Sequence, residues 1–255
     1  MRVTMLFISI LIAVLPLSAS VFAMENKRGG DIDLNVFSLH LGSTRVVYNE
    51  FSSGETLTVI NDQDYPMLVQ SEVLEEDQKS PASFVVTPPL FRLDGHQSSR
   101  LRIIRLGEDL PPDRESLRWI CVKGIPPKAE DKWAESKDRN RNQSNKVALN
   151  VQLSMTSCVK LFVRPLRVKG HPDDVADKIE WLKIGNKLKG INPTPFYMNL
   201  AELMVGGKTV NERNYIAPFS SYEYPLPMGA IGKVQWRIVT DYGGKSKQFE
   251  KSFKR

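Results

Sequence analysis

The chain is poor in the residues that most often carry chemistry. Three histidines, His40, His96 and His171, are spread over 255 residues without metal-ligand spacing, and no HExxH, GxSxG, CxxC or phosphate-loop pattern occurs. Each histidine therefore reads as a lone surface or core residue, and neither a metal nor a cofactor is expected. The carboxylate pairs Glu75-Glu76 and Asp173-Asp174 fall in loop-like stretches, where a solvated acidic face is the usual explanation. Enzymatic activity has no support in this pattern, although a secreted hydrolase with a site built from dispersed residues would leave no local trace and stands as an alternative.

A basic block is missing too. Lysine and arginine number 35 against 29 aspartates and glutamates, and the two signs are mixed along the chain without interleaved aromatics, which argues against nucleic acid as a partner. Long apolar runs are confined to the N-terminus. Arg2 is followed by the apolar stretch Met5 to Leu15 and then by Val21-Phe22-Ala23, the layout of an export signal occupying residues 1–23. Pro16 and the small residues Ser18 to Ser20 interrupt the run before it reaches the roughly 20 residues of a membrane span, so stable membrane insertion is not expected. Removal of Arg2 with the signal takes the formal charge from +6 to +5, mildly basic for an exported chain.

Cysteine is scarce: Cys121 and Cys158 only. In an exported chain they read as one disulfide, formed in an oxidising compartment, with a metal pair or a reactive thiol as the alternative. Closing a loop of this length constrains the unfolded chain by about 4 kcal/mol in the loop-entropy model. Asn142-Gln143-Ser144 matches a glycosylation sequon, a pattern short enough to arise by chance.

Sustained helical periodicity is also rare, and what is present instead is short alternating runs. They fall at Arg45 to Asn49, Glu55 to Ile60, Met67 to Val73, Phe84 to Val86, Ser99 to Leu106 and Ser116 to Lys123. Turn signals such as Asn61-Asp62-Gln63-Asp64, Thr87-Pro88-Pro89 and Leu93-Asp94-Gly95 separate them. Strands at this spacing predict a sandwich. Pro165 and Lys169-Gly170-His171-Pro172 break the series. A second set follows at Ile179 to Ile184, Gly190 to Asn192, Tyr197 to Val205, Tyr222 to Pro225, Gly232 to Thr240 and Gln248 to Phe253. Gly185-Asn186, Gly206-Gly207 and Gly243-Gly244 lie between strands where tight hairpins need positive φ. The reading is all-β, with domains over residues 24–165 and 166–255, about 140 and 90 residues long.

Two stretches stand apart. Val122 to Lys146 is rich in charge and poor in aliphatics, and is expected to be mobile in the free protein. It runs into Asn145 to Pro165, read as one long strand, in which Val147, Leu149, Val151, Leu153 and Met155 occupy every second position and share one face. Asn150, Gln152 and Ser154 on the other parity are polar. The apolar edge is either core or a binding surface.

Several strings, taken in order, resemble the periplasmic pilus (fimbrial) chaperone family. Ser43-Thr44-Arg45-Val46-Val47-Tyr48 is similar to its first strand, Thr87-Pro88-Pro89-Leu90-Phe91-Arg92-Leu93 to its TPP-x-x-RL stretch, and Asp113-Arg114-Glu115-Ser116-Leu117 to its DRES signature. Lys160-Leu161-Phe162-Val163-Arg164-Pro165 resembles the end of its seventh strand. Ile191-Asn192-Pro193-Thr194-Pro195-Phe196-Tyr197 and Asp241-Tyr242-Gly243-Gly244 resemble parts of its second domain. The cysteine pair, the roughly 25-residue connection and the alternating Ile32, Leu34 and Val36 point to the subfamily with a long loop between the sixth and seventh strands.

The resemblance implies two immunoglobulin-like β-sandwich domains in an L-shaped (boomerang) arrangement, and a non-enzymatic chaperone of the periplasm. It implies donor-strand complementation: Val147, Leu149, Val151, Leu153 and Met155 fill the groove of an incomplete fibre subunit, which is then delivered to an outer-membrane usher. By position, Arg45 and Lys160 match the family's anchor for the subunit's terminal carboxylate. Glu115, Arg164 and Asp241 match a charge network that sets the interdomain angle, expected here to be a surface ion pair of about 0 to 1 kcal/mol. An exposed apolar strand would favour self-association of the free protein. The competing reading is a fibre subunit or adhesin of immunoglobulin-like fold, against which two complete strand sets argue.

Overall fold

The computed structural model describes residues 32–107, 110–127, 131 and 149–253. The export signal expected at residues 1–23, Val147 and most of the charged connection fall outside these residues.

The first strand set forms β1 (Ile32–Phe37), β2 (His40–Leu41), β3 (Arg45–Asn49), β4 (Glu55–Ile60), β5 (Met67–Leu74), β6 (Phe84–Thr87), β7 (Leu90–Leu93), β8 (Ser98–Arg105), β9 (Ser116–Ile125), β10 (Leu149–Ser154) and β11 (Thr156–Arg164). A five-stranded sheet in the order β3-β11-β9-β5-β7 packs on a four-stranded sheet in the order β2-β4-β8-β6. Alternation is what makes this a sandwich: in β5, Met67, Val69 and Val73 are buried while Gln70 and Glu72 are exposed. Leu57, Val59, Leu101 and Ile103 come from the opposite sheet to meet them in one core with Ile120, Val122, Leu161 and Val163. Burying one such aliphatic side chain is worth about 1.5–3 kcal/mol before conformational entropy is counted.

The second set forms β12 (Glu180–Ile184), β13 (Lys187–Asn192), β14 (Met198–Val205), β15 (Lys208–Thr209), β16 (Tyr215–Ile216), β17 (Ser220–Pro225), β18 (Val234–Ile238) and β19 (Phe249–Lys251). One sheet runs β12-β13-β17 and the other β15-β14-β18-β19, with β16 also paired to β14. Its separate core packs Trp181 edge-on against Trp236 and at a tilt against Tyr224. Of the glycines expected in tight turns, Gly185, Gly206, Gly207 and Gly243 have positive φ, and Gly244 does not. At Gly206 a Cβ would also lie 1.8 Å from the Ile231 carbonyl oxygen, so no other residue fits there.

Three differences from the sequence reading matter. The run from Asn145 is not one strand: the described part breaks at Met155 into β10 and β11. The reason is a change of partner. β11 lies between β9 and β3, whereas β10 has passed the end of β9 and pairs in parallel with β1, placing Ile32 opposite Leu149, Leu34 opposite Val151 and Val36 opposite Leu153. At the junction the Gly124 N–H donates to the Met155 carbonyl at 3.3 Å and Ser154 Oγ to the Gly124 carbonyl at 2.5 Å. Second, β9 continues to Ile125, so the start of the charged connection is ladder, not loop. Third, the short strands β2, β7, β15 and β16 escaped notice because two to four residues carry too little alternation.

Candidate functional site

The site begins with the parity of β11. Val159, Leu161 and Val163 point into the first core, which sends Cys158, Lys160, Phe162 and Arg164 to the outer face of the five-stranded sheet. The ladders place Arg45 beside Lys160 on one side and Trp119 on the other, with Leu117 opposite Phe162 and Cys121 opposite Cys158. Cys121 and Cys158 form a disulfide. An outer face should be solvated, yet Phe162 and Leu117 are buried. The second sandwich covers them with Tyr197, 5.6 Å from the Phe162 ring, and with Tyr215 and Ala217.

At one end of this face Arg164 is saturated. Its Nε and Nη2 donate to Glu115 Oε1 at 2.8 and 2.6 Å, and its Nη1 and Nη2 donate to Asp241 Oδ2 and Oδ1 at 2.8 and 2.9 Å. Glu115 precedes β9 and Asp241 follows β18, so the guanidinium ties the two sandwiches together. Buried Asn192 donates to the Phe196, Ile216 and Ala217 carbonyls and holds the turn before β14. That turn presents the Tyr197 N–H to Glu115 Oε2 and the Pro195 carbonyl to the Glu115 N–H. Burial pushes the Glu115 carboxyl up from its ordinary value, against the pull of Arg164 and of that N–H. Burial acts on Asp241 as well, but hydrogen bonds from Arg164 and from His171 Nδ1 hold it below its ordinary value. The surface ion pair expected from the sequence is corrected here. Glu115 is 3 % and Arg164 7 % exposed, because the outer face of β11 is sealed by the second sandwich.

Toward the middle of the strand the situation reverses. Arg45 Nη1 donates to the Val239 carbonyl at 3.1 Å, and its Nε is buried without a hydrogen-bond partner. Lys160 Nζ donates to Asn199 Oδ1 at 2.5 Å and lies 4.7 Å from the Tyr215 ring centroid and 5.8 Å from that of Trp119. Among the described residues no carboxylate forms an ion pair with either cation. Burial and then the neighbouring Arg45 charge lower the Lys160 ammonium to about 8. Burial also lowers the Arg45 guanidinium, opposed by the more distant charges of Asp241 and Glu115. Two cations side by side, half desolvated and with neutral partners, make a place that favours an anion.

Beyond the cleft, β10 and β1 form a two-stranded sheet of their own. Among the described residues the other edge of β10 carries no strand, so its backbone donors and acceptors are open to pairing. Met155, at the break, is 47 % exposed and belongs to neither core.

Of the residues the sequence singled out, the structure places Arg45 beside Lys160, joins Glu115, Arg164 and Asp241 in one network between the sandwiches, and puts Leu149, Val151 and Leu153 on β10. It missed Asn199, Tyr215, Trp119 and His171. Asn199 and Tyr215 carry no pattern that distinguishes them from ordinary strand residues of the second set. His171 read as a lone histidine but joins the network through Asp241. The carboxylates of Glu75-Glu76 are engaged as well: Glu75 pairs with Arg118 at 2.9 Å, and Glu76 accepts a hydrogen bond from the Tyr215 hydroxyl at 2.8 Å.

Comparison with known proteins agrees with the two-domain, all-β fold. Residues 38–169 match the profile described as "Pili and flagellar-assembly chaperone, PapD N-terminal domain", and residues 174–250 that of "Pili assembly chaperone PapD, C-terminal domain". The chain is 66% identical to chaperone protein AfaB of Escherichia coli over 238 residues, covering 90% of this chain and 96% of AfaB. Among solved structures, the E. coli chaperone DraB is 70% identical with a TM-score of 0.77, covering 88% of this chain and 100% of DraB. A complex of the Salmonella enterica SafA pilin with the SafB chaperone matches at 46% identity with a TM-score of 0.77, covering 86% of this chain and 98% of the matched one. With both profiles matched in order and relatives similar over nearly their full length, the chain belongs to the PapD-type pili assembly chaperone family.

Proposed function

We propose that this protein is a periplasmic, non-enzymatic assembly chaperone that captures a fimbrial or surface-fibre subunit and passes it to an outer-membrane usher. The observation that carries the reading is the Arg45–Lys160 pair, two desolvated cations in a cleft with no ion-paired carboxylate among the described residues. A subunit's terminal carboxylate supplies the missing charge, and charge-assisted hydrogen bonds from a guanidinium and an ammonium fix its position. From that fixed point the subunit's strand runs along the open edge of β10, where backbone pairing supplies affinity. The alternating Val147, Leu149, Val151, Leu153 and Met155 then occupy successive positions in the subunit groove. The solved SafA–SafB complex supports capture of a subunit by a relative of this chain. In this reading the Glu115–Arg164–Asp241 network holds the two sandwiches at the angle that keeps the cleft formed.

The test is co-expression in a bacterial periplasm with each small exported protein encoded beside this one, followed by purification. A soluble one-to-one complex that is lost on Arg45→Ala or Lys160→Ala while the chaperone stays folded is the expected result. A complex indifferent to both substitutions would remove the anchor from the mechanism, and turnover of a substrate by the purified protein would favour the hydrolase.

A further inference from the structure

Both cations of the cleft belong to the first sandwich, yet their polar partners come from the second. Arg45 on β3 reaches the Val239 carbonyl just past β18, and Lys160 on β11 reaches the Asn199 side chain on β14. Val239 and Asn199 are themselves joined, the Val239 N–H donating to the Asn199 carbonyl at 2.8 Å. Asn199 is 5 % exposed, and its Nδ2 donates to the Tyr197 carbonyl at 3.2 Å, so its Oδ1 is aimed at Lys160 by a fixed amide. Tyr215, also from the second sandwich, lays its ring against the same ammonium and is itself pinned by the Glu76 carboxylate of the first.

We propose that Asn199 is a positioning residue of the carboxylate anchor, holding the Lys160 ammonium so that the anchor is complete only when the second sandwich is docked on the first. This rests on the capture reading above. A lysine on an edge-proximal strand has four flexible methylenes, and a carboxylate placed between it and Arg45 gains register only if the ammonium is already fixed. An uncharged amide is the acceptor that does this without neutralising the cation. An aspartate in its place would occupy the anion's position from within. Among the described residues, the charged and titratable groups around Lys160 are Arg45 beside it, the Tyr215 ring from the second sandwich, packed in turn on Tyr197, and Glu76 behind Tyr215. Glu115 and Asp241 are engaged by Arg164.

The test uses the full mature chain, a synthetic peptide of alternating apolar and polar residues with its C-terminus either free or amidated, and NMR titration of Lys160 in the unliganded protein. Wild type is expected to prefer the free carboxylate. Asn199→Ala is expected to weaken capture of the free-carboxylate peptide about tenfold and leave the amidated one unchanged. It should also move the Lys160 titration to lower pH, since an acceptor for the charged form is gone. Asn199→Asp, nearly isosteric, guards against an unfolded alanine variant: it should raise the Lys160 titration and abolish the preference for a free carboxylate. If wild type discriminates but both variants discriminate equally with an unmoved titration, Asn199 is a bystander and the inference fails alone. If wild type takes the two peptides alike, the anchor reading itself fails and the inference with it.

Discussion

Lys160 and Arg164 lie four residues apart on the same strand, face the same way and are covered by the same second sandwich. Arg164 is met by two carboxylates in four hydrogen bonds. Lys160 and its neighbour Arg45 are met by an amide, a carbonyl and aromatic rings. Desolvating a charge costs several kcal/mol unless a counter-charge returns it. At Arg164 the return comes from the protein, and the charge holds the two sandwiches together. At Arg45 and Lys160 nothing within ion-pair reach among the described residues returns it, which leaves the counter-charge to the proposed subunit carboxylate. The same strand thus carries a closed charge site and an open one, and the difference lies in the residues that meet them: Asp241 just after β18 and Glu115 just before β9 offer carboxylates, while Asn199 on β14 and Val239 just past β18 offer only neutral oxygens.

The largest expected effect breaks the closed site. Arg164→Ala leaves Glu115 buried without its cation, and a loss of about 3–5 kcal/mol in unfolding free energy is expected from urea denaturation. Glu115→Ala should cost a similar amount. Arg45→Ala, by contrast, removes a desolvated charge with no ion-pair partner and should leave stability nearly unchanged. Equal losses at Arg45 and Arg164 would erase the distinction between the sites.

Next in size is capture. Arg45→Ala or Lys160→Ala should each weaken binding of a free C-terminal carboxylate by about 1.5–3 kcal/mol, roughly ten- to a hundredfold. Surface plasmon resonance against free and amidated peptides would read this directly. A pH profile sharpens it. With Lys160 near 8, a carboxylate meets an ammonium at neutral pH and a neutral amine above, so capture should decline as pH rises past about 8. Lys160→Arg keeps its charge and should flatten that decline, whatever it costs in geometry. A wild-type profile flat to pH 10 would place the ammonium outside the binding step.

Much of this was legible because strands with one solvated face write their fold in alternation: β3 and β4 were bounded as found and β5 to within a residue. The closed site was located but misjudged. Along β11 the outward residues Cys158, Lys160 and Arg164 look solvated, since parity reports which side faces its own core and nothing about what a second sandwich lays over the other. Burial of Glu115 and Arg164, and the roles of Asn199, Tyr215 and His171, follow from domain docking, which leaves no local period. The break at Met155 was hidden for a related reason. Alternation runs unbroken through it, and only the end of β9 forces the change of ladder partner.

The smallest effect expected tests the open site from the stability side. The folded-state titration of Lys160 lies near 8, below the 10.5 of the ordinary group. Between these values the unfolded chain binds more protons than the folded one, so stability rises with pH across that window, relative to a variant without the group. Below pH 8 the penalty for holding the ammonium in the cleft is fully present; above pH 10.5 it is gone. Lys160→Met should therefore be more stable than wild type at pH 7 by on the order of 1 kcal/mol, once solvent screening of a partly exposed group is allowed for. The advantage should shrink as pH rises from 8 to 10.5. Arg164→Met, tested the same way, should be less stable than wild type at pH 7, since its charge is matched by Glu115 and Asp241. A Lys160→Met variant that lost stability at pH 7 would mean that Asn199 and the two rings already compensate the ammonium, and the cleft would then hold no deficit for a ligand to fill.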